Sequence, residues 1–439
     1  MDNSYIKRSI IPERLPAVDG DLIMAIGIDA EIALFTANLE LSFGHRLDAE
    51  RLARALDLTF DAQPILGCKF VIDGRQMYWE RLSKEARHSL YLFENESEFE
   101  QFRTLQIDSR TGPQIKVALY QSAAGDRLII KHSHQVGDGG GQVDIVREFS
   151  TAYNRLNHNP AYQPEPNIYG SRSGKQVLRQ ISWTAFPVIL VNFIKFLWSN
   201  NHPKATHTLP LPEYQQNSSW TYQMRSIAPD RAARILEYGK KHLATFNDVM
   251  ITAYLRALAT VSSWDGQSAL RLQMTVDLRK WYLPEKRAEG ICNLSAFEHV
   301  NLGTHLGDDF ADTLARVSAI IRSRKKSYIG LKEVCLAPLA SLFPYGQLVK
   351  LIAKTRRKQI LQKSFQDVLT NVGAISPECV TFDQQPIAAK VLPHVLFPPP
   401  LSICLSGYAG SFTLATGAFQ GSSPLVEQLL DQLVKELPG

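Results

Sequence analysis

The feature that most restricts the fold of this chain is a short segment in which a strand-like run leads through polar side chains into a glycine-rich turn. Residues 131–140 read KHSHQVGDGG, so His132 and His134 flank a serine, and Asp138 follows four residues after the second histidine. The residues before it are β-branched, and those after Gly141 have apolar positions at helical spacing. This order predicts a mixed α/β chain. Reactive side chains are often held at such a strand end, because the strand is rigid and the turn exposes them.

Strand and helix patterns alternate in both halves of the chain. Asp48 is expected to cap one helix, and Gly125 lies in a predicted hairpin turn between two strands. These patterns predict an α/β (α+β) fold. The strand-like runs are residues 32–41, 115–120, 128–131, 270–276, 400–405 and 412–416, and the helical patterns are 47–56, 142–156, 229–243 and a run from 247 onwards.

The length of 439 residues suggests two or three domains. Residues 157–166 are rich in Asn and Pro, and residues 202–217 are rich in Pro, Gln and Asn. Such composition is typical of loops and linkers, so the crossing between domains is expected near these two segments.

Composition excludes several classes of protein. Hydrophobic residues make up 45% and charged residues 21%, which rules out a disordered or fibrous chain. The net charge of +5 fits an anionic partner but is too small to indicate nucleic acid. The sequence has no P-loop and no dinucleotide-binding glycine pattern. The N-terminus lacks the apolar core of a secretory signal and the cysteines form no CxxC pair, so a reducing cytoplasm is expected. The cysteines are Cys68, Cys292, Cys335, Cys379 and Cys404.

One apolar stretch, residues 183–198, reads WTAFPVILVNFIKFLW. It is shorter than the roughly 20 residues that a membrane-spanning helix needs, and Pro187, Asn192 and Lys195 interrupt it. Two interpretations stay open at this point. The stretch is either a helix that is buried or lines a groove, or an interfacial helix that touches a membrane or an apolar substrate.

His134 is the candidate general base, since a neutral imidazole can take a proton from an attacking alcohol or amine near pH 7. Asp138 could fix the turn by bonding backbone N–H groups or an arginine. The glycines at 139–141 are expected to let substrate approach the backbone and to leave N–H groups for a developing anion. A structural histidine in a glycine-rich turn is one alternative. A metal site on His132, His134 and Asp138 is another, although no further His/Cys cluster completes its shell.

Residues 115–141 resemble the hairpin and active-site loop of the chloramphenicol acetyltransferase-like superfamily, whose motif is HHxxxDG. That superfamily includes nonribosomal-peptide condensation domains, alcohol O-acetyltransferases, polyketide-associated acyltransferases and wax ester synthases. Further matches follow in the family's order and extend the resemblance over residues 31–416. They are TFNDV at 245–249, TVDLR at 275–279, GICNLS at 290–295 and TNVG at 370–373.

The motif departs from the family pattern in its first histidine, which falls on Ser133. The second histidine is the catalytic one in the family and maps to His134, so the resemblance implies that the chemistry is retained. His132 is displaced by one position from the family's first histidine. It therefore lies on the strand face opposite to that of position 133. Thr370 stands where the family usually has serine, and threonine keeps the hydroxyl.

The resemblance implies two similar halves in a V with a channel between them. The N-terminal half is residues 1–175, the crossing with its apolar helix is 176–217, and the C-terminal half is 218–439. It also implies that His134 deprotonates a hydroxyl or amine, which attacks an acyl thioester directly, without an acyl-enzyme. The thioester is expected on coenzyme A or on a carrier protein's phosphopantetheine arm, as a substrate. No bound cofactor and no metal are expected.

The resemblance also implies roles for the residues around His134. Asp138 would be structural and Arg279 its ion-pair partner. The backbone N–H near Gly139, with Asn371 or Thr370, could stabilise the oxyanion. Without the resemblance, Arg279 is an ordinary arginine after a strand, and Asn371 a residue that shapes a turn.

Two basic clusters, residues 322–326 and 354–358, have two interpretations. They are solvated helix faces, or they are a seat for coenzyme A phosphates, an acidic carrier protein or an anionic membrane. Peripheral membrane contact is therefore open, and nucleic acid is not an expected partner.

Three functions stay open. The first is an acyltransferase of natural-product or lipid biosynthesis that joins an acyl group from a thioester to a hydroxyl or amine. The second is a condensation-type enzyme that uses carrier-protein-bound substrates in trans. The third is a repurposed or non-catalytic member, which Ser133 in place of histidine motivates. The apolar stretch favours an acyl group or acceptor with hydrophobic bulk.

Overall fold

The computed structural model describes residues 11–201, 205–282, 287–334, 340 and 342–439. Cys335 lies outside these residues. Residues 1–10 also lie outside them, and most of the prediction about a secretory signal concerns those residues. The α-helices of these described residues are α1 (Asp19–Asp29), α2 (Ala49–Ala62), α3 (Glu96–Phe102), α4 (Gly139–His158), α5 (Lys175–Leu178), α6 (Phe186–Asn201), α7 (Pro229–Lys241), α8 (Phe246–Val261), α9 (Phe310–Lys326), α10 (Leu331–Val334), α11 (Tyr345–Leu361) and α12 (Ser423–Glu436).

The strands alternate with these helices in both halves. They are β1 (Arg14–Pro16), β2 (Ala33–Leu34), β3 (Thr36–Ser42), β4 (Cys68–Asp73), β5 (Gln76–Arg81), β6 (Leu90–Phe93), β7 (Ile115–Ser122), β8 (Gly125–Ser133), β9 (Thr206–His207), β10 (Trp220–Ile227), β11 (Ala269–Asp277), β12 (Ser295–Gly303), β13 (Asp367–Ala374), β14 (Ala388–Leu392), β15 (Val395–Leu396), β16 (Ser402–Tyr408) and β17 (Ser411–Phe419).

Five strands form the sheet of the N-terminal half, in the order β14-β3-β8-β7-β6. β7 and β8 form the predicted antiparallel hairpin, with Ser122 opposite Gly125 next to the turn. β8 lies between β3 and β7, so neighbouring strands hold its backbone on both edges. Leu52 of α2 and Phe149 of α4 share one buried core with Ile130 of β8. This packing makes the end of β8 a rigid position for a reactive side chain.

The sheet of the C-terminal half has seven strands, six of them in the order β10-β17-β16-β13-β11-β12, with β9 paired to β11. Tyr254 of α8 and Leu429 of α12 share a buried core with Leu272 of β11. At the start of α8, Thr245 and Asp248 cap each other's backbone N–H groups. The TFNDV motif is therefore a helix start, and its threonine and aspartate stabilise the first turn.

A segment of the C-terminal half completes the sheet of the N-terminal half. β14 pairs antiparallel with β3, and β15 pairs antiparallel with β2. Residues 388–396 thus connect the two halves through backbone hydrogen bonds. The range 218–439 contributes strands to both sheets, and the boundaries at 175 and 217 stay a prediction.

The predicted mixed α/β fold, with a sheet and its helices in each half, is confirmed. Two local predictions next to His134 differ from the structure. The predicted strand at 32–41 is interrupted at Phe35, which separates β2 from β3. The predicted helix begins at Gly139 and not at 142, because the Asp138 carboxylate accepts the N–H of Gly141 at 2.9 Å as an N-cap. The three glycines therefore form the first turn of α4.

The apolar stretch at 183–198 forms a short turn followed by most of α6. On one face of the helix Ile189 and Phe193 are buried, whereas Leu190, Ile194 and Trp198 are more than half exposed on the other. One face of the helix is therefore buried, as the first interpretation expects, and the interfacial interpretation stays a prediction for the exposed apolar face. Among the helices of the described ranges, none has both the length and the apolar run that crossing a membrane requires.

Candidate active site

His134 is the first residue after β8, and both halves of the chain hold its backbone. Its N–H donates to the carbonyl of Phe35 at 2.8 Å. Its carbonyl accepts from Nδ2 of Asn293 at 2.9 Å, and Asn293 belongs to the C-terminal half. The predicted base therefore lies at the junction of the two halves.

The imidazole of His134 has one buried and one open nitrogen. Nδ1 is buried and has no hydrogen-bond partner, and the buried Oδ1 of Asn293 has none either. Nε2 is not buried and bonds no group of the described chain. Burial lowers the pKa of His134 below its usual 6.5, and the charge of Asp138 and the side chain of Asn293 oppose this only in part. The ring is therefore neutral at pH 7, and Nε2 is the nitrogen that can meet a substrate.

His132 and Ser133 shape the turn that presents His134. His132 is buried, and its Nε2 lies 2.9 Å from the carbonyl oxygen of Gly137, so this nitrogen carries the proton. Burial, and then the repulsion that arises when His134 is also protonated, lower the pKa of His132 to about 4. The hydroxyl of Ser133 accepts from the N–H of Gln135 at 3.3 Å. Neither side chain is open to a substrate, so both act on the shape of the loop.

Asp138 and Arg279 form a buried bidentate ion pair between the two halves. Arg279 Nη2 lies 2.9 Å from Oδ1 of Asp138, and Nη1 lies 3.0 Å from Oδ2. Oδ2 also accepts from the N–H of Leu294 at 2.7 Å and from the hydroxyl of Ser295 at 3.0 Å. Burial by itself would raise the pKa of Asp138, but Arg279 and these hydrogen bonds outweigh it and hold the pKa below its usual range. The pair fixes the loop that carries His134 against the C-terminal half.

The same contacts concern the alternative of a metal site on His132, His134 and Asp138. Both oxygens of Asp138 already accept hydrogen bonds, and Nε2 of His132 faces a carbonyl. In the described ranges no three His, Cys, Asp or Glu side chains gather as a metal site.

The triple glycine was expected to let a substrate approach the backbone, and the structure shows different neighbours. A Cβ at position 140 would lie 2.5 Å from Nη1 of Arg279, and one at position 139 would lie 2.7 Å from Cγ1 of Val372. At position 141 the backbone carbonyl of Cys292 would be 3.1 Å away. Glycine is needed here because the C-terminal half packs directly against the start of α4.

Thr370 and Asn371 lie on β13, close to this helix start. Asn371 Oδ1 accepts the N–H of Gly373 at 2.9 Å, so its carbonyl group shapes a turn. Val372 is the residue that meets Gly139. No hydrogen bond within the described chain joins Thr370 or Asn371 to His134. The structure thus brings β13 to the loop without a direct contact of either side chain with the base.

Two residues beside His134 were not identified from the sequence motifs as site residues. Asn293 was quoted only as part of the GICNLS match, and His394 was not considered. The ring centroids of His134 and His394 are 4.8 Å apart, with nearly perpendicular planes. Position 394 lies far along the chain and carries no motif. Only the pairing of β14 and β15 with the N-terminal strands brings it here.

A cavity of about 720 Å³ lies between α6, α9, α11 and the C-terminal sheet. Ile189 and Trp198 of α6 form an apolar wall of the cavity. Glu298 is the acidic side chain in its lining. Leu396 of β15 also lines it, which places one part of the cavity two residues from His394. Its apolar and cationic lining suits a ligand with an apolar chain and an anionic group. The cationic side chains are Lys195, Arg271, Arg324, Lys332 and Arg356.

The lowered histidine pKa values predict an acid-sensitive fold. In the unfolded chain a histidine binds its proton near pH 6.5, whereas His132 in the fold stays neutral down to about pH 4. Between these values the unfolded state binds more protons, so the free energy of unfolding falls as the pH falls. The slope is about 1.4 kcal/mol per pH unit for each histidine held neutral.

Urea unfolding at several pH values between 7 and 5 measures this slope. The matched variant is His132→Gln, whose amide can keep the hydrogen bond to Gly137 but does not titrate. Its stability is expected to fall less steeply with pH than that of the wild type, by about the contribution of one histidine. Equal slopes in the two proteins would contradict the assignment of His132 as a neutral buried group.

Solved structures with this architecture include an acetyltransferase, a polyketide synthase associated protein and domains of peptide synthetases. A trichothecene 15-O-acetyltransferase of Fusarium sporotrichioides matches with a TM-score of 0.69 at 13% identity, over 97% of this chain and 94% of that chain. Polyketide synthase associated protein 5 from Mycobacterium tuberculosis matches with a TM-score of 0.62 at 12% identity, over 96% and 97%. A cyclization-docking bidomain from Sorangium cellulosum matches with a TM-score of 0.66 at 16% identity, over 98% and 87%. The chain has the chloramphenicol acetyltransferase-like fold, as its motifs predicted.

Sequence comparison finds two further similarities, each over only part of the chain. Residues 292–438 match the family model of the WS/DGAT C-terminal domain. Bacitracin synthase 3 of Bacillus licheniformis is 22% identical over 215 residues, which cover 46% of this chain and 3% of that protein. The match therefore spans only a small part of this curated relative.

Proposed function

We propose that the protein is an acyltransferase that moves an acyl group from a thioester to a hydroxyl or amine, with His134 as general base. The observation that carries this proposal is the neutral imidazole of His134, whose Nε2 is open at the junction of the two halves. The fold agrees with it, because an acetyltransferase and a polyketide synthase associated protein share the architecture.

The proposed reaction needs one proton to move twice. Nε2 of His134 takes the proton of the acceptor O–H or N–H, and the acceptor oxygen or nitrogen attacks the thioester carbon. The carbonyl oxygen becomes an oxyanion, for which the backbone N–H near Gly139 and the polar side chains of Thr370 and Asn371 are candidate donors. The C–S bond then breaks, and the leaving thiolate takes the proton back from Nε2. Asp138 and Arg279 hold the loop and exchange no proton.

Acceptor-dependent thiol release is the test of this reaction. The donors are coenzyme A thioesters from acetyl to palmitoyl, offered with mixed alcohols and amines. The apolar wall of the cavity, made by Ile189 and Trp198, leads us to expect faster release from longer acyl chains. Release without an acceptor, or release from no donor, would contradict the proposed transfer.

A second candidate is a condensation-type reaction with carrier-protein-bound substrates. The observation in its favour is the similarity of the fold to a cyclization-docking bidomain and to the first condensation domain of the calcium-dependent antibiotic synthetase. The two candidates differ in the donor that supports turnover. If the phosphopantetheine arm of a carrier protein supports turnover and free coenzyme A thioesters do not, the second candidate replaces the first.

We also propose peripheral contact with an anionic membrane, through the exposed face of α6 and the neighbouring α11. Trp183, Phe186, Leu190, Ile194 and Trp198 are 81%, 43%, 56%, 56% and 67% exposed, and most of them follow one another at a spacing of four. α6 and α11 both line the cavity described above, and Trp198 belongs both to the exposed face and to the cavity lining. α11 adds exposed cations, which complement anionic lipid headgroups. These are Lys350, Lys354, Arg357 and Lys358.

Vesicle co-sedimentation measures this contact. The protein is expected to bind vesicles of phosphatidylcholine with phosphatidylglycerol and to bind pure phosphatidylcholine far less, because each basic residue near the surface contributes about 1 kcal/mol. Leu190→Ser with Ile194→Ser is expected to release it, and Leu92→Ser, at an exposed site of the N-terminal half, serves as control. Unchanged binding by the double variant would contradict the proposal, and so would a lipid-free dimer that the double variant dissociates.

A further inference from the structure

A second imidazole reaches His134 from a segment of the C-terminal half. His394 lies in the two-residue connection between β14 and β15. Leu392 of β14 is paired with Asn38, and Val395 of β15 is paired with Leu34. The carbonyl of Pro393 also accepts the hydroxyl of Tyr222 at 2.8 Å. Both sides of His394 are therefore fixed by the sheet, and its position beside His134 is a property of the fold.

Three rings form an ordered group at this point. Phe35 and His394 are stacked, with centroids 5.7 Å apart and planes 8° apart. The ring of His134 is nearly perpendicular to both, at 4.8 Å from His394 and 6.4 Å from Phe35. Such edge-to-face contacts define the orientation of a ring without a hydrogen bond. His394 and Phe35 thus contribute to the orientation of the base.

The nitrogens of His394 distinguish it from a purely packing residue. The side chain is half-buried, and neither ring nitrogen bonds any group of the described chain. Burial, and then repulsion from His134 and His132 in their protonated forms, lower its pKa to about 3, so the ring is neutral at pH 7. A neutral imidazole offers one N–H donor and one acceptor nitrogen. Both nitrogens are also accessible to solvent, so a polar group of a substrate can reach them.

We propose that His394 is a substrate-positioning residue, whose ring hydrogen-bonds the hydroxyl or amine acceptor next to Nε2 of His134. The inference rests on the proposed acyl transfer and adds a second contact to the acceptor. The proton of the acceptor goes to His134, the base of the proposed transfer. His394 gains and loses no proton. Its contribution is to hold the attacking oxygen or nitrogen in line with the base.

His394→Phe tests this role, because phenylalanine keeps a ring for the stacking on Phe35 and removes both nitrogens. With an alcohol or amine that turns over, we expect kcat/KM for the acceptor to fall about tenfold, the loss of one hydrogen bond. The KM of the thioester and the thermal midpoint of unfolding are expected to stay unchanged. His394→Gln, which restores a donor and an acceptor, is expected to recover part of the loss.

Three results would decide against the proposal or against its basis. Wild-type kinetics in His394→Phe would overturn the positioning role. A rise in the KM of both substrates together with a lower thermal midpoint would assign His394 to packing, and this would also overturn the positioning role. Absence of acceptor-dependent thiol release in the wild-type protein would overturn the proposed function itself, which the variants of His394 alone cannot do.

Discussion

Replacement of His134 by alanine is expected to lower kcat/KM of acyl transfer by about 10²–10⁴-fold, the usual contribution of a general base. The reason is that Nε2 of His134 is the open nitrogen of a neutral ring at the junction of the halves. The measurement is thiol release with one thioester and one acceptor at pH 7.5. His134→Gln is expected to be similarly impaired, since an amide fills the space without accepting the proton.

A matched control separates this effect from a general effect of losing a histidine. His305 is exposed and far from the motif in sequence, so His305→Ala is expected to keep wild-type rates. The free energy of unfolding of both variants is also expected to stay within about 1 kcal/mol of the wild-type value, because the ring of His134 makes no hydrogen bond to the chain. Urea unfolding measures it. Equal rates in wild type and His134→Ala would show that this residue is not the base.

The second large effect is expected from Asp138→Asn. The carboxylate is buried, with both oxygens on Arg279, and its removal leaves the guanidinium with only the well exposed carboxylate of Asp277, at 3.1 Å. Such a loss costs about 3–5 kcal/mol in the free energy of unfolding. The loop that carries His134 would also shift, and a displacement of about 1 Å can lower the rate by about 10²-fold. Urea unfolding and thiol release measure the two effects.

An exposed ion pair provides the control for this prediction. Glu237 and Lys241 lie one helical turn apart on α7 at 2.8 Å and are both well exposed. Glu237→Gln is expected to leave stability and rate unchanged, because solvent screens such a pair. If Asp138→Asn were no more destabilising than Glu237→Gln, the ion pair would not be the connection that fixes the loop.

Local sequence signals were sufficient for the fold class and for the loop around His134. β7, β8 and α4 follow from periodicity within a short span, and Asp48 and Asp138 are both N-caps in the structure. The motif order also indicated Arg279, which meets Asp138 although 141 positions separate them. In each case the signal lies within one element or in a motif whose order along the chain is informative.

The glycines and His394 show where such reasoning ends. Three adjacent glycines predict close approach, but the sequence does not say what approaches, and here it is Arg279, Val372 and Cys292. His394 reaches the site only because β14 leaves the C-terminal half and pairs with β3. Periodicity within one segment carries no information on such long-range pairing. The same limit applies to the cavity, whose lining comes from α6, β12, α9 and α11.

The pH dependence of kcat/KM tests the central claim, a neutral His134 that takes the proton of the acceptor, most directly. With a primary alcohol, which does not titrate in this range, kcat/KM is expected to fall tenfold per pH unit on the acid side. The midpoint is expected below 6.5, because burial lowers the pKa of His134. The pH range is one in which unfolding experiments show the fold intact. A midpoint above 6.5, or a rate that rises as the pH falls towards that limit, would contradict the account.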